Sequence, residues 1–170
     1  MKTFFAGFLV GAAFLAIAIL GYLWLGFAEI RADVPVSPQI TRVWETGMHA
    51  AVRRTTPALK NPLPSNDETL IAGGKLYLND CVGCHGAPGQ PPSAFGASFY
   101  PPARQLAQFG TSCTEAQVFS IAKRGIRRSG MSSQAASYND QQLWMLAAFI
   151  VRLPSVSPVV IKEIQPAPAN

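Results

Sequence analysis

Cys81-Val82-Gly83-Cys84-His85 constrains this chain more than any other stretch. Two thiols three positions apart, followed directly by an imidazole, can bond both vinyl groups of one porphyrin and hold a nitrogen against its iron. A chain carrying that run folds around a large flat group as well as around its own side chains. Two other chemistries use paired cysteines. A zinc half-site needs a second ligand pair, and a redox dithiol needs a thioredoxin-like βαβ context. The only other cysteine is Cys113 and the only other histidine is His49, so covalent attachment of one haem c is the expectation.

The 170 residues have room for one compact domain with appendages. From Phe4 to Ala28 the chain carries no charge, a run long enough to cross a bilayer as a helix. Residues 1–30 therefore read as a transmembrane signal anchor. Gly26-Phe27-Ala28 also places small residues where a signal peptidase could cut, but the apolar run is about twice a normal signal core and ends in aromatics suited to the interface. Either fate exports the rest of the chain. Lys2 before the run puts the remainder across the membrane, although Arg31 just beyond it weakens the charge asymmetry. Haem c attachment takes place on the outer face of bacterial membranes, which agrees. The expected location is the bacterial inner membrane, with the haem domain in the periplasm or outside.

The formal net charge is +5. Arg53, Arg54 and Lys60 carry part of it, and Lys123, Arg124, Arg127 and Arg128 form a cluster. Neither group has the aromatic interleaving of a single-strand binder, so nucleic acid is not expected as a partner.

Residues 31–64 read as a stalk, a helix and a linker. Pro35 and Pro38 mark the stalk, and Ile40, Val43, Trp44, Met48, Ala51 and Val52 fall at helical spacing within 40–56. Pro57, Pro62 and Pro64 mark the linker. Residues 65–153 read as the haem domain. Ser65 and Glu68 have capping-box spacing at the head of a first helix that runs into the motif, and Thr114 with Gln117 repeats that spacing before a middle helix ending at Gly125. A last helix spans 140–153, with Pro154 ending it. Residues 86–110 are rich in proline, glycine and small residues and read mostly as loop around the haem. Residues 154–170 read as an extended proline-rich tail.

With the first helix carrying Gly73 and Tyr77, CVGCH, the segment GIRRSGM and the final LWMLAAFI, the stretch 67–153 resembles a monohaem class I cytochrome c. The flanks look like those of membrane-anchored bacterial relatives. The resemblance implies an all-α fold, a small cytochrome c domain of about three core helices around one covalent haem, preceded by one transmembrane helix and an extra amphipathic helix. It implies thioether bonds from Cys81 and Cys84, proximal ligation by His85 and distal ligation by Met131. Its first and last helices would cross near right angles at a small residue.

Other residues carry competing readings. Met131 has the alternative of packing on the haem edge, and His49 is the rival sixth ligand, a surface or partner-facing histidine otherwise. Tyr100, Arg104 and Trp144 are candidates for contacts to the propionates or the pocket, with Arg104 equally a solvated loop charge. The Lys123–Arg128 cluster is either a solvated helix end or the rim that steers an acidic redox partner. Cys113 is expected to be a small, buried, unpaired thiol.

These residues are compatible with three functions. With both axial positions filled, the iron shuttles single electrons and binds no substrate, so the chain is expected to be a carrier and no enzyme in itself. The alternative is an electron-entry and structural subunit of a larger membrane oxidoreductase, contacting partners near Trp44 and the basic cluster. A five-coordinate haem sensor would require that Met131 not bind.

Overall fold

The computed structural model describes residues 2–31, 34 and 36–165, and is helical with no strand among them. The chain divides into two compact units, 1–34 and 35–170.

The first unit is built on α1, Lys2–Trp24. Its 22-residue apolar stretch Thr3–Trp24 rises ~33 Å, which matches a hydrocarbon core of ~30 Å. Nearly all its described side chains are exposed. The helix ends in a Schellman turn: Phe27 N–H donates to the Tyr22 carbonyl at 3.1 Å and Gly26 N–H to that of Leu23 at 3.2 Å. Gly26 supplies the positive φ of 77° the turn requires. The rings of Tyr22 and Phe27 stack across it with centroids 6.0 Å apart, placing an aromatic pair where interfacial belts occur.

The second unit begins with α2, Pro38–Thr55, with Pro38 in its first turn. Trp44, Met48 and Val52 are half-buried and no residue is fully buried. The helix lies against a later one, α7 (Glu115–Arg124), where Arg124 Nη1 donates to the Thr55 carbonyl at 3.1 Å. The linker then crosses the domain surface. Asn61 Nδ2 donates to Glu115 Oε2 at 2.7 Å and to the Trp144 carbonyl at 3.3 Å, so this segment is seated on the domain.

α3 spans Asp67–Asp80. Its cap is Asn66, whose Oδ1 accepts from Thr69 N–H at 3.0 Å, and not the expected Ser65. The register begins one residue later, so Glu68 cannot close a box and instead joins Asp67 as an acidic first turn. The motif forms α4, Val82–His85, and two single turns come after it, α5 Ala94–Ala97 and α6 Leu106–Phe109. The expected box at Thr114 and Gln117 closes both ways at the head of α7, and Gly125 ends that helix with a φ of 69°. α8, Asp140–Arg152, carries a second reciprocal box, from Asn139 and Gln142, that was not expected from the sequence.

The proline-rich end differs from its expected extended form. A 3₁₀ turn, Leu153–Ser155, leads into α9, Pro158–Ile164, which has Pro158 in its first turn and the Ser157 hydroxyl as cap. Val160 and Ile164 are buried, and α9 packs on α3. The rest of the expected tail, residues 166–170, lies outside the described residues.

The core sits where α3, α7, α8 and α9 meet. Tyr77, Leu143, Leu146, Phe149 and Val160 are its largest enclosed side chains. α3 meets α8 at Gly73 and α9 at Gly74, where a Cβ would stand 2.7 Å from Ile164 Cγ2. Phe119 of α7 stacks on Trp144 of α8, 4.2 Å between centroids and 9° between planes.

Candidate functional site

Cys81 ends α3 and starts α4, so the motif is a tight helical continuation of a buried helix. Cys81 N–H donates to the Tyr77 carbonyl and His85 N–H to that of Cys81, both at 2.9 Å. Gly86 then turns the chain away at a φ of 82°, and the Tyr77 hydroxyl holds that turn by donating to the Gly86 carbonyl at 2.6 Å. Burial, reinforced by the neighbouring Asp80 and Cys84, pushes the Cys81 thiol up to about 12. Cys84 is half-buried, and both thiols are free.

His85 is oriented from outside the motif. Its Nδ1 lies 2.8 Å from the Arg104 carbonyl oxygen. A carbonyl only accepts, so Nδ1 carries the proton and Nε2 keeps its lone pair for a metal. Burial lowers the His85 pKa and favours the neutral imidazole.

The 86–110 loop grips the backbone of this turn. Ser93 Oγ donates to the Gly83 carbonyl at 2.5 Å. Gln105 Nε2 donates to the carbonyls of Cys84 and Ala103 at 3.1 and 3.0 Å, while its Oε1 accepts from Ser93 N–H at 2.7 Å. Gly96 lies so close that a Cβ there would stand 1.9 Å from the Cys84 carbonyl oxygen. Sequence reasoning missed Gln105 and Gly96, because no local pattern distinguishes them from ordinary loop residues.

Met131 is half-buried in a closed turn. Its carbonyl accepts from Ile126 N–H at 2.9 Å and its N–H donates to Ser129 Oγ at 3.1 Å. Two contacts fasten the segment between α7 and α8. Gly130 lies under the Phe99 ring, where a Cβ would stand 2.8 Å from Cδ1, and the Tyr138 hydroxyl donates to Asp80, the residue before Cys81. Tyr138 was not anticipated from the sequence.

Arg104 uses its guanidinium inside its own loop, donating from Nε to the Gly110 carbonyl at 2.6 Å and from Nη2 to that of Phe109 at 3.1 Å. Tyr100 is exposed, and Trp144 is buried in the α7–α8 contact. In the basic cluster, Lys123 pairs with Asp140 at 2.6 Å and Arg124 is held by Thr55. Arg127 and Arg128 make no side-chain hydrogen bond among the described residues, and Arg128 holds a φ of 63°. His49 is half-buried on α2, and Cys113 is half-buried at the core edge.

The donor set fits haem c: two free thiols on one short turn, then a neutral imidazole whose outer nitrogen is bare. Helices α3, α7 and α8 with this site define a class I c-type cytochrome. The family model described as cytochrome C oxidase, cbb3-type, subunit III, matches residues 68–150, from the first turn of α3 to the last turns of α8. The match supports a class I c-type cytochrome domain similar to that family, and the likeness implies haem c as its cofactor. No curated protein and no solved structure matches the chain.

Proposed function

We propose that the chain is a membrane-anchored carrier of single electrons, with one haem c on the periplasmic side of a bacterial inner membrane. Cys81 and Cys84 hold the haem covalently, His85 Nε2 is the proximal ligand and the Met131 thioether is the distal one. Haem c, when bound, supplies a one-electron couple. The surrounding residues fix that couple. The Arg104 carbonyl orients the imidazole and raises its basicity, and the 86–110 loop shields the proximal side. The turn from Ile126 to Met131 presents a neutral sulfur, which raises the potential relative to a second imidazole.

The observation that carries this reading is the Nδ1 hydrogen bond of His85 at 2.8 Å, because it leaves Nε2, on a residue directly after the two cysteines in the chain, free for iron. Expression with a haem-attachment system tests it. The full chain should keep a haem stain through a denaturing gel and lose it when Cys81 and Cys84 are both changed to alanine. A reduced form that binds carbon monoxide readily would overturn distal ligation by Met131 in favour of a five-coordinate iron.

A second role, electron entry into a larger oxidase, is favoured by the ordered segment before the haem domain. α2 is docked on α7 and the linker is fastened through Asn61, which gives the domain a surface beyond a minimal cytochrome. The description of the matching family, an oxidase subunit, points the same way. Lys123 is paired with Asp140, whereas Arg124, bonded once to the neutral Thr55 carbonyl, keeps its charge at the surface with Arg127 and Arg128 as the expected docking charge. Purification from native membranes distinguishes the roles: a subunit elutes with partners in fixed ratio, and a free carrier elutes alone.

A further inference from the structure

We infer that Gln105 is a positioning residue for the proximal ligand, setting the orientation of the His85 imidazole through the peptide that accepts its proton. This rests on the reading of His85 as an iron ligand and extends it to a residue that touches neither haem nor iron.

The loop and the motif turn are joined by two adjacent rungs. In one, the Arg104 carbonyl accepts from His85 Nδ1 at 2.8 Å. In the other, the side chain of the next residue, Gln105, donates to the Cys84 carbonyl at 3.1 Å. Consecutive residues of the loop therefore bind consecutive residues of the motif. The Arg104 carbonyl belongs to the peptide that leads into Gln105, so anchoring the Gln105 side chain at Cys84 fixes the direction in which that carbonyl points.

The same amide holds the loop on its other sides. Nε2 also donates to the Ala103 carbonyl at 3.0 Å, on the peptide preceding Arg104, and Oε1 accepts from Ser93 N–H at 2.7 Å. Peptides before and after Arg104 are thus both restrained by one side chain. Gln105 is 9 % exposed, so water competes poorly for these bonds, and losing them leaves buried backbone groups unpaired. Gly86 is pressed against the same group, where a Cβ would stand 3.0 Å from Gln105 Oε1.

A carbonyl held in line with Nδ1–H draws on that proton and makes Nε2 a stronger donor, which favours ferric over ferrous iron. Releasing the carbonyl does the opposite. Gln105→Met keeps the length and apolar stem of the side chain but removes all three bonds. Gln108→Met is the control, since Gln108 Nε2 makes one bond within the same loop, to the Gln90 carbonyl at 2.7 Å, and does not contact the His85 rung.

The experiment uses the full haem-loaded chain in detergent. In the reduced, diamagnetic protein the exchange rate of the His85 ring N–H is measured by NMR, and the reduction potential by redox titration. Q105M should exchange that proton at least tenfold faster and show a higher potential while its spectrum stays low-spin. Q108M should move neither quantity. An unchanged exchange rate in Q105M overturns the inference. If Q105M does not accumulate, Q105E retains the acceptor for Ser93 N–H and lacks both donors, and the same exchange readout decides. A parent chain without covalent haem would overturn the functional reading and this inference with it, whereas a loaded parent and variant with the same ring proton would overturn this inference alone.

Discussion

Gly73 meets the Met145 carbonyl so closely that a Cβ on residue 73 would stand 2.1 Å from that oxygen and 3.0 Å from Phe149 Cβ. The obstacle is backbone, which cannot swing aside as a side chain can. Gly73→Ala therefore has to push α3 off α8, with a cost of about 3 kcal/mol. Thermal unfolding followed by near-ultraviolet circular dichroism should show a transition lower by about 10 °C or more. Since α3 leads directly into Cys81, the variant should also load haem less completely.

The features legible in the sequence are those whose determinants lie within one helical turn. The Thr114 and Gln117 box and the Gly125 stop are local, and each appears in the structure as its spacing implies, while CVGCH, equally local, folds as one short helical turn. The apolar run of α1 and the helical spacing around Trp44 also needed no tertiary information. What escaped depends on distant partners. Gln105 bonds Cys84 across 21 positions, Tyr138 bonds Asp80 across 58 and Asn61 bonds the Trp144 carbonyl across 83. α9 escaped for another reason. Pro158 reads as a breaker, yet in a first turn it costs no hydrogen bond, and burial of Val160 and Ile164 against α3 supplies the stability that a seven-residue helix lacks alone.

Asn61 and Arg152 reach the two oxygens of one carboxylate, that of Glu115, at 2.7 and 2.5 Å. Arg152 is 34 % and Glu115 22 % exposed, so solvent screens part of the attraction. Asn61→Ala is expected to cost about 1 kcal/mol. The loss should be local. Hydrogen exchange in peptides covering residues 56–65 should accelerate while the core of α8 stays protected, and uniform acceleration across the domain would contradict this placement of the linker.

The Tyr138 pKa is raised by burial first, then by its hydrogen bond to Asp80. A raised value means that the folded state favours the neutral phenol. The tie to Asp80 is therefore present below the ordinary phenol value of about 10, and is lost as pH rises through the higher folded value. Carbon-13 NMR of the tyrosine ring should place this titration above that of an exposed tyrosine. Tyr138→Phe removes the tie at every pH, so the Met131 loop should open more easily. The weak red absorption band of a sulfur–iron(III) bond should vanish at a lower pH in the variant than in the parent, and coincident midpoints would rule out Tyr138 as a fastening for that loop.

Met131 and His49 make opposite predictions for the sixth ligand. Met131 sits in a turn closed by Ile126 and Ser129, with Gly130 under the Phe99 ring and Tyr138, further along the same segment, bonded to Asp80. His49 lies on α2, which packs on α7. Met131→Ala should abolish the sulfur–iron band, let the reduced form bind carbon monoxide and lower the potential, because water or an imidazole replaces a ligand that favours ferrous iron. His49→Ala should leave the spectrum and the potential where they were. A sixth ligand lost with His49 instead would mean that α2 supplies the iron, and the 126–131 turn would then be packing against the haem edge.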